Sequence, residues 1–103
     1  MPAVEQMLLE ALRKREEAER FLRNLDTIRE TGSVPDDAKG QLRQEYVDRI
    51  LAAEHEVAHL KDELVTQLRT ASAEPARRLR AMLDAETSAE IESVLRVRAA
   101  SHD

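Results

Sequence analysis

Apolar residues recur with heptad spacing in two long segments of the chain, one on each side of a short stretch that contains Gly32. The first segment carries Val4, Leu8, Ala11, Ala18, Leu22 and Leu25, and the second carries Leu42, Tyr46, Ile50, Val57, Leu60 and Leu64. Residues at this spacing share one face of an α-helix. The pattern predicts two long amphipathic helices, the first over about residues 3–30 and the second over about residues 35–70.

The apolar residues of the two segments match in opposite order, as they would if the chain folded back on itself. Gly32 favours the left-handed conformation that ends many helices, and Ser33 is a candidate cap for the next one. The predicted contacts are Val4 with Leu64, Leu8 with Leu60, Ala11 with Val57, Ala18 with Ile50, and Leu22 with Tyr46. The sequence therefore predicts an all-α protein built on an antiparallel, coiled-coil-like helical hairpin.

One or two short helices are predicted after the hairpin. Pro75 is a break signal, and residues 75–85 carry the apolar side chains of a third helix. Thr87 followed by Glu90 has the spacing of a capping box, which predicts the start of a fourth helix; the third and fourth could also merge into one bent helix. We therefore divide the chain into the long hairpin, residues 1–71, and a short C-terminal helical segment, residues 72–103.

A second set of apolar residues lies on another face of the second predicted helix, about 100° from the first set. We name this set the outer stripe; it consists of Val47, Leu51, Ala58 and Val65. In the first helix, Phe21 and Ile28 widen the apolar arc in a similar way. Such surfaces are seldom left in contact with water. Either the C-terminal helices or a second copy of the chain is expected to cover them, and in the second case oligomerisation completes a helical bundle.

Composition supports a helical protein with a thin core. Hydrophobic residues make up 42% of the 103 positions, but Phe21 and Tyr46 are the only aromatic ones. A core of Leu, Val, Ile and Ala suits coiled-coil packing and is poorly suited to a deep substrate pocket. Charged residues reach 36%, which is typical of long helices in water.

Charge and residue types exclude several classes of function. The net charge is −5 and no segment is basic, so we expect no nucleic-acid partner, and we read the cluster Arg77, Arg78 and Arg80 as a solvated surface. The chain has no Cys and therefore no disulfide or thiol nucleophile. We find no membrane-spanning apolar run and no secretory signal, and we expect a cytoplasmic protein with no membrane partner.

One short motif could carry metal chemistry. His55, Glu56 and His59 spell His-Glu-x-x-His, a spelling that resembles the zincin metallopeptidases, in which the histidines bind zinc and the glutamate is the general base. The spacing of Glu56 and His59 also resembles that of ferritin-like di-iron proteins. These include small encapsulated ferritin-like proteins, which are helical hairpins that build the iron site at a dimer interface. That resemblance implies iron handling, with a carboxylate such as Glu10 completing the site. The heptad pattern, however, places both imidazoles on the side of the second helix that points away from the first helix. In addition, no segment of the sequence has the pattern of a strand.

Arg15 interrupts the apolar face of the first helix. In the predicted pairing it lies opposite Ala53, and its head is expected to reach water or Glu56. A polar break of this kind either fixes the register of two helices or is simply tolerated.

Taken together, the sequence favours a non-enzymatic module for helical protein–protein interaction or oligomerisation, an adaptor or scaffold without a cofactor. The expected partner is a second copy or another helical protein, bound by Phe21, Ile28 and the outer stripe. The alternative is a metal-binding helical protein that holds a divalent transition ion at His55, Glu56 and His59.

Overall fold

A computed structural model of the chain describes the backbone of residues 3–31 and 35–101 and the side chains of residues 3–27 and 35–97. The described part consists of four α-helices and contains no strand, so the predicted all-α class is confirmed. The helices are α1 (Val4–Thr31), α2 (Asp36–Leu68), α3 (Ala73–Asp84) and α4 (Ser88–Ser101). The predicted turn at residues 32–34 lies outside the described residues.

The short helices begin at residues that their local sequences allow. Helix α3 begins at Ala73, two residues before the position predicted from Pro75. Proline is tolerated there because the first-turn N–H groups of a helix have no partner within it. Before α4, the Glu90 N–H donates to Thr87 Oγ1 at 3.2 Å, and the Glu90 carboxylate accepts from the Glu86 N–H at 2.8 Å. The alternative of one bent helix is wrong, because these caps separate α3 from α4.

The core draws on all four helices. The largest fully buried side chains are Leu8, Leu12, Leu60, Leu64, Met82 and Ile91. They belong to one cluster, in which α3 packs on α2 and α4 packs on α1. The C-terminal helices therefore cover other apolar surface of α1 and α2 within the chain and leave the outer stripe largely exposed.

A second contact region joins the C-terminal part of α1 to the N-terminal half of α2. The rings of Phe21 and Tyr46 are stacked with their centroids 3.8 Å apart, and the Arg49 guanidinium lies 4.4 Å from the centre of the Tyr46 ring. Asp26 forms an ion pair with Arg43 nearby. The described residues extend over 56 × 27 × 23 Å, so the molecule is elongated.

Polar contacts fasten the loop between α3 and α4 to the long helices. The Glu16 carboxylate accepts two hydrogen bonds from Ser88, one from the backbone N–H at 2.8 Å and one from the hydroxyl at 2.5 Å. Lys61 Nζ donates to the Ala85 carbonyl at 2.7 Å. Because Ser88 is the first residue of α4, Glu16 places a negative charge at the positive end of that helix.

Arginine side chains of α1 complete this attachment. The head of Arg15 donates to the Glu86 carbonyl at 2.6 Å and not to Glu56, the protein partner that the sequence predicted. The reason is that the loop between α3 and α4 packs on α1, which no local pattern indicates. Arg13 forms an ion pair with Glu92, and this hydrogen bond raises the pKa of Arg13 above the usual value of an arginine.

Replacing Glu16 with Ala tests the contribution of this cap. We expect the free energy of unfolding to fall by about 1–2 kcal/mol, because the Ser88 N–H loses its acceptor at the start of α4. Urea titration followed by circular dichroism measures the change. Glu17→Ala, an exposed position in the same helix, is the matched control. Equal losses in the two variants would show that the cap contributes nothing specific.

Candidate functional site

The outer stripe of α2 stays largely exposed in the structure. Leu51 exposes 58% of its surface and Val65 exposes 38%; Ala58 is exposed as well, and Val47 is half-buried. The opposite side of the same helix carries the buried residues Ala53, Val57, Leu60 and Leu64. Helix α2 therefore has an apolar face turned inward and a second apolar line that is exposed at Leu51, Ala58 and Val65.

Heptad spacing gives the outer stripe its shape. Leu51, Ala58 and Val65 follow one another at seven-residue intervals, and such residues lie within about 20° of one direction around a helix. From Val47 to Val65 the stripe runs for about 27 Å along α2. It is a narrow ridge rather than a pocket, so it suits another helix better than a small molecule.

Charged residues border the stripe on both sides. Glu54 and Lys61 lie on one side at about 40–60°, and His55 and Asp62 lie at a similar angle on the other. Within the described part of the chain, neither Glu54 nor Asp62 forms an ion pair through its side chain. Each border therefore combines an acidic residue with a basic or titratable one.

Of the other two residues predicted to bind a partner, the structure describes the side chain of Phe21 alone. Phe21 is half-buried, and its ring stacks on Tyr46 in the contact between α1 and α2. Ile28 lies outside the described side chains. The outer stripe is thus the part of the predicted surface that the structure brings together. The predicted pairing placed Leu22 opposite Tyr46, whereas the neighbouring residue Phe21 stacks on Tyr46. The predicted alignment of the two helices was therefore the sequence signal for this contact.

The candidate metal ligands share a helix but not a pocket. His55 and His59 are exposed, and His59 Nε2 lies 3.3 Å from a Glu63 carboxylate oxygen. Glu56 is half-buried, and Glu10 lies 3.2 Å from Arg13. In residues 3–27 and 35–97, no group of three or more His, Cys, Asp or Glu side chains is arranged to hold an ion. Metal binding at His55, Glu56 and His59 stays a prediction.

A groove lies between α3 and α4. It has a volume of about 400 Å³, and its lining includes Pro75, Ala81, Val94 and Val97 together with the arginine Arg77. Arg78 at its edge lies 3.4 Å from Glu5. Among the described residues, this lining combines aliphatic groups with the guanidinium groups of Arg77 and Arg78, the Glu74 carboxylate and the Ser93 hydroxyl, and it includes no histidine.

A scan against protein-family models, a search of curated proteins and a search of solved structures each gave no match. None of the described helices combines the length and the apolar character needed to cross a bilayer.

Proposed function

We propose that the protein is a non-enzymatic helical interaction module that self-associates through the outer stripe of α2. In this proposal α1 and α2 form an antiparallel hairpin, α3 and α4 stabilise it, and a second copy covers the stripe. The observation that carries the proposal is the exposure of Leu51 and Val65 on a helix whose inner apolar residues are buried. The two copies together would complete a larger helical bundle.

Burial of apolar surface supplies the driving force. Full burial of a Leu or Val side chain contributes about 1.5–3 kcal/mol, and a symmetric dimer buries, in each copy, the exposed 58% of Leu51 and 38% of Val65. Association costs several kcal/mol in lost freedom of motion, so only the surplus stabilises the dimer. We therefore expect a weak, reversible dimer that is populated only at high chain concentration.

Charged borders supply selectivity. Rim charges contribute more to the choice and orientation of a partner than to affinity. An acidic chain with a net charge of −5 repels its own copies at long range, so a self-docking surface needs opposite charges placed across it. Glu54 and Lys61 on one border, and Asp62 on the other, provide such charges.

The double variant Leu51→Asp and Val65→Asp tests the proposal. We expect light scattering to give the wild-type chain about twice the mass of the 11.7 kDa monomer and the double variant the monomer mass, because four buried carboxylates would oppose docking. Circular dichroism should show unchanged helix content, since both positions are exposed.

The matched control is Val97→Asp, which changes an exposed apolar residue of α4 outside the stripe. This control should remain dimeric. A dimer that survives the double substitution, or one that only Val97→Asp dissociates, would contradict the assignment of the interface to α2.

A further inference from the structure

We infer that the second copy docks antiparallel, with the twofold axis passing beside Ala58 of α2. The inference rests on the proposed function and adds the register and orientation of the interface. Ala58 is exposed and stands at the middle of the stripe, seven residues after Leu51 and seven before Val65. Its small side chain allows two helices to approach closely.

The apolar contacts follow from this register. When two copies of α2 run in opposite directions about Ala58, Ala58 faces its own copy and Leu51 faces Val65 of the second copy. A parallel pairing would instead place each stripe residue against itself. Both arrangements bury the stripe, so apolar burial alone does not decide between them.

The charged borders of the stripe match each other in the antiparallel arrangement, as they also would in a parallel one, where Glu54 faces His55 and Lys61 faces Asp62 of the second copy. Across an antiparallel interface, residues of the same border face each other, so Glu54 faces Lys61 of the second copy and His55 faces Asp62 of the second copy. The twofold axis repeats both pairs. Lys61 donates to the Ala85 carbonyl within its own chain, and its ammonium group has two further hydrogens for a carboxylate.

Arg69 decides between the two orientations, because the border charges fit both. It is exposed at the C-terminal cap of α2, keeps helical backbone angles and lies about 20° from the direction of Ala58, in line with the stripe. In a parallel dimer the two Arg69 side chains would meet each other. In the antiparallel dimer Arg69 lies beside Val47 and Asp48 of the second copy, so its stem covers an apolar residue and its head meets a carboxylate.

The absence of Cys from the sequence allows a direct test by disulfide trapping. Single Cys variants at positions 51, 58 and 65 are oxidised mildly at a concentration where light scattering reports a dimer. We expect Ala58→Cys to crosslink with itself, and a mixture of Leu51→Cys with Val65→Cys to give the mixed dimer. Leu51→Cys alone should not crosslink, because its two copies would lie about 21 Å apart along the helices, well beyond disulfide reach.

Val97→Cys is the control for random collision, because Val97 is exposed on α4 and lies off the interface. Self-crosslinking of Leu51→Cys without the mixed dimer would overturn the antiparallel register and establish a parallel one. A wild-type dimer in which none of the stripe variants crosslinks would place the interface elsewhere. A monomeric wild-type chain would contradict the proposed function itself, so the failures are distinguishable.

Discussion

Leu64→Ala is expected to lower the free energy of unfolding by about 2–5 kcal/mol, because it leaves a cavity in the core. Leu64 is fully buried on the inner face of α2. It belongs to the cluster that also contains Leu12 of α1, Met82 of α3 and Ile91 of α4, so the loss affects packing among all four helices. For a domain of this size, such a change is a large part of the total stability.

Urea unfolding followed by circular dichroism checks this expectation, at a chain concentration low enough to keep the protein monomeric, since dimerisation would add its own stabilisation. Val97→Ala is the control, because Val97 is 68% exposed and its truncation should change stability by no more than about 0.5 kcal/mol. Similar values for the two variants would contradict the position of Leu64 in the core.

A chain that ends at Ala71 is expected to lose cooperative unfolding. Removal of α3 and α4 takes Met82 and Ile91 out of the core and exposes side chains of α1 and α2 that are buried in the full chain, among them Leu12. A pair of helices alone buries too little apolar surface for independent stability at this length. Thermal unfolding should become broad, and the midpoint should fall or disappear.

Adding back a peptide of residues 72–103 provides the control for this truncation. The peptide should restore a cooperative transition, and the same peptide with Ile91→Asp should not, because Ile91 is fully buried. A chain of residues 1–71 that unfolds cooperatively at the midpoint of the full chain would contradict the dependence of α1 and α2 on the C-terminal helices. It would instead make residues 1–71 an independent domain.

Local signals explain how much of the fold was predictable. Heptad spacing and helix-capping residues act over a few positions, so the long helices and the cap formed by Thr87 and Glu90 could be predicted from the sequence. Helix α3 begins two residues earlier than predicted, because a proline is tolerated later in the first turn of a helix as well as at its first position. The hydrogen bonds from Ser88 to Glu16 were missed, because a carboxylate distant in sequence leaves no local pattern.

The sequence predicted which residues form the outer stripe, but it did not predict whether they are exposed. The outer stripe follows from residue spacing alone. Whether the C-terminal helices would cover it depended on where α3 and α4 pack, and the structure places α4 on α1 and α3 beside the inner residues of α2. The same packing explains why Arg15 reaches the Glu86 carbonyl instead of Glu56.

The mass of the wild-type chain as a function of concentration tests the central claim most directly. Sedimentation equilibrium on untagged protein should give about twice 11.7 kDa at high concentration and 11.7 kDa on dilution, as a reversible dimer formed through the outer stripe requires. A mass of 11.7 kDa at every concentration up to about 1 mM would contradict self-association, because it would leave Leu51 and Val65 exposed in a stable monomer.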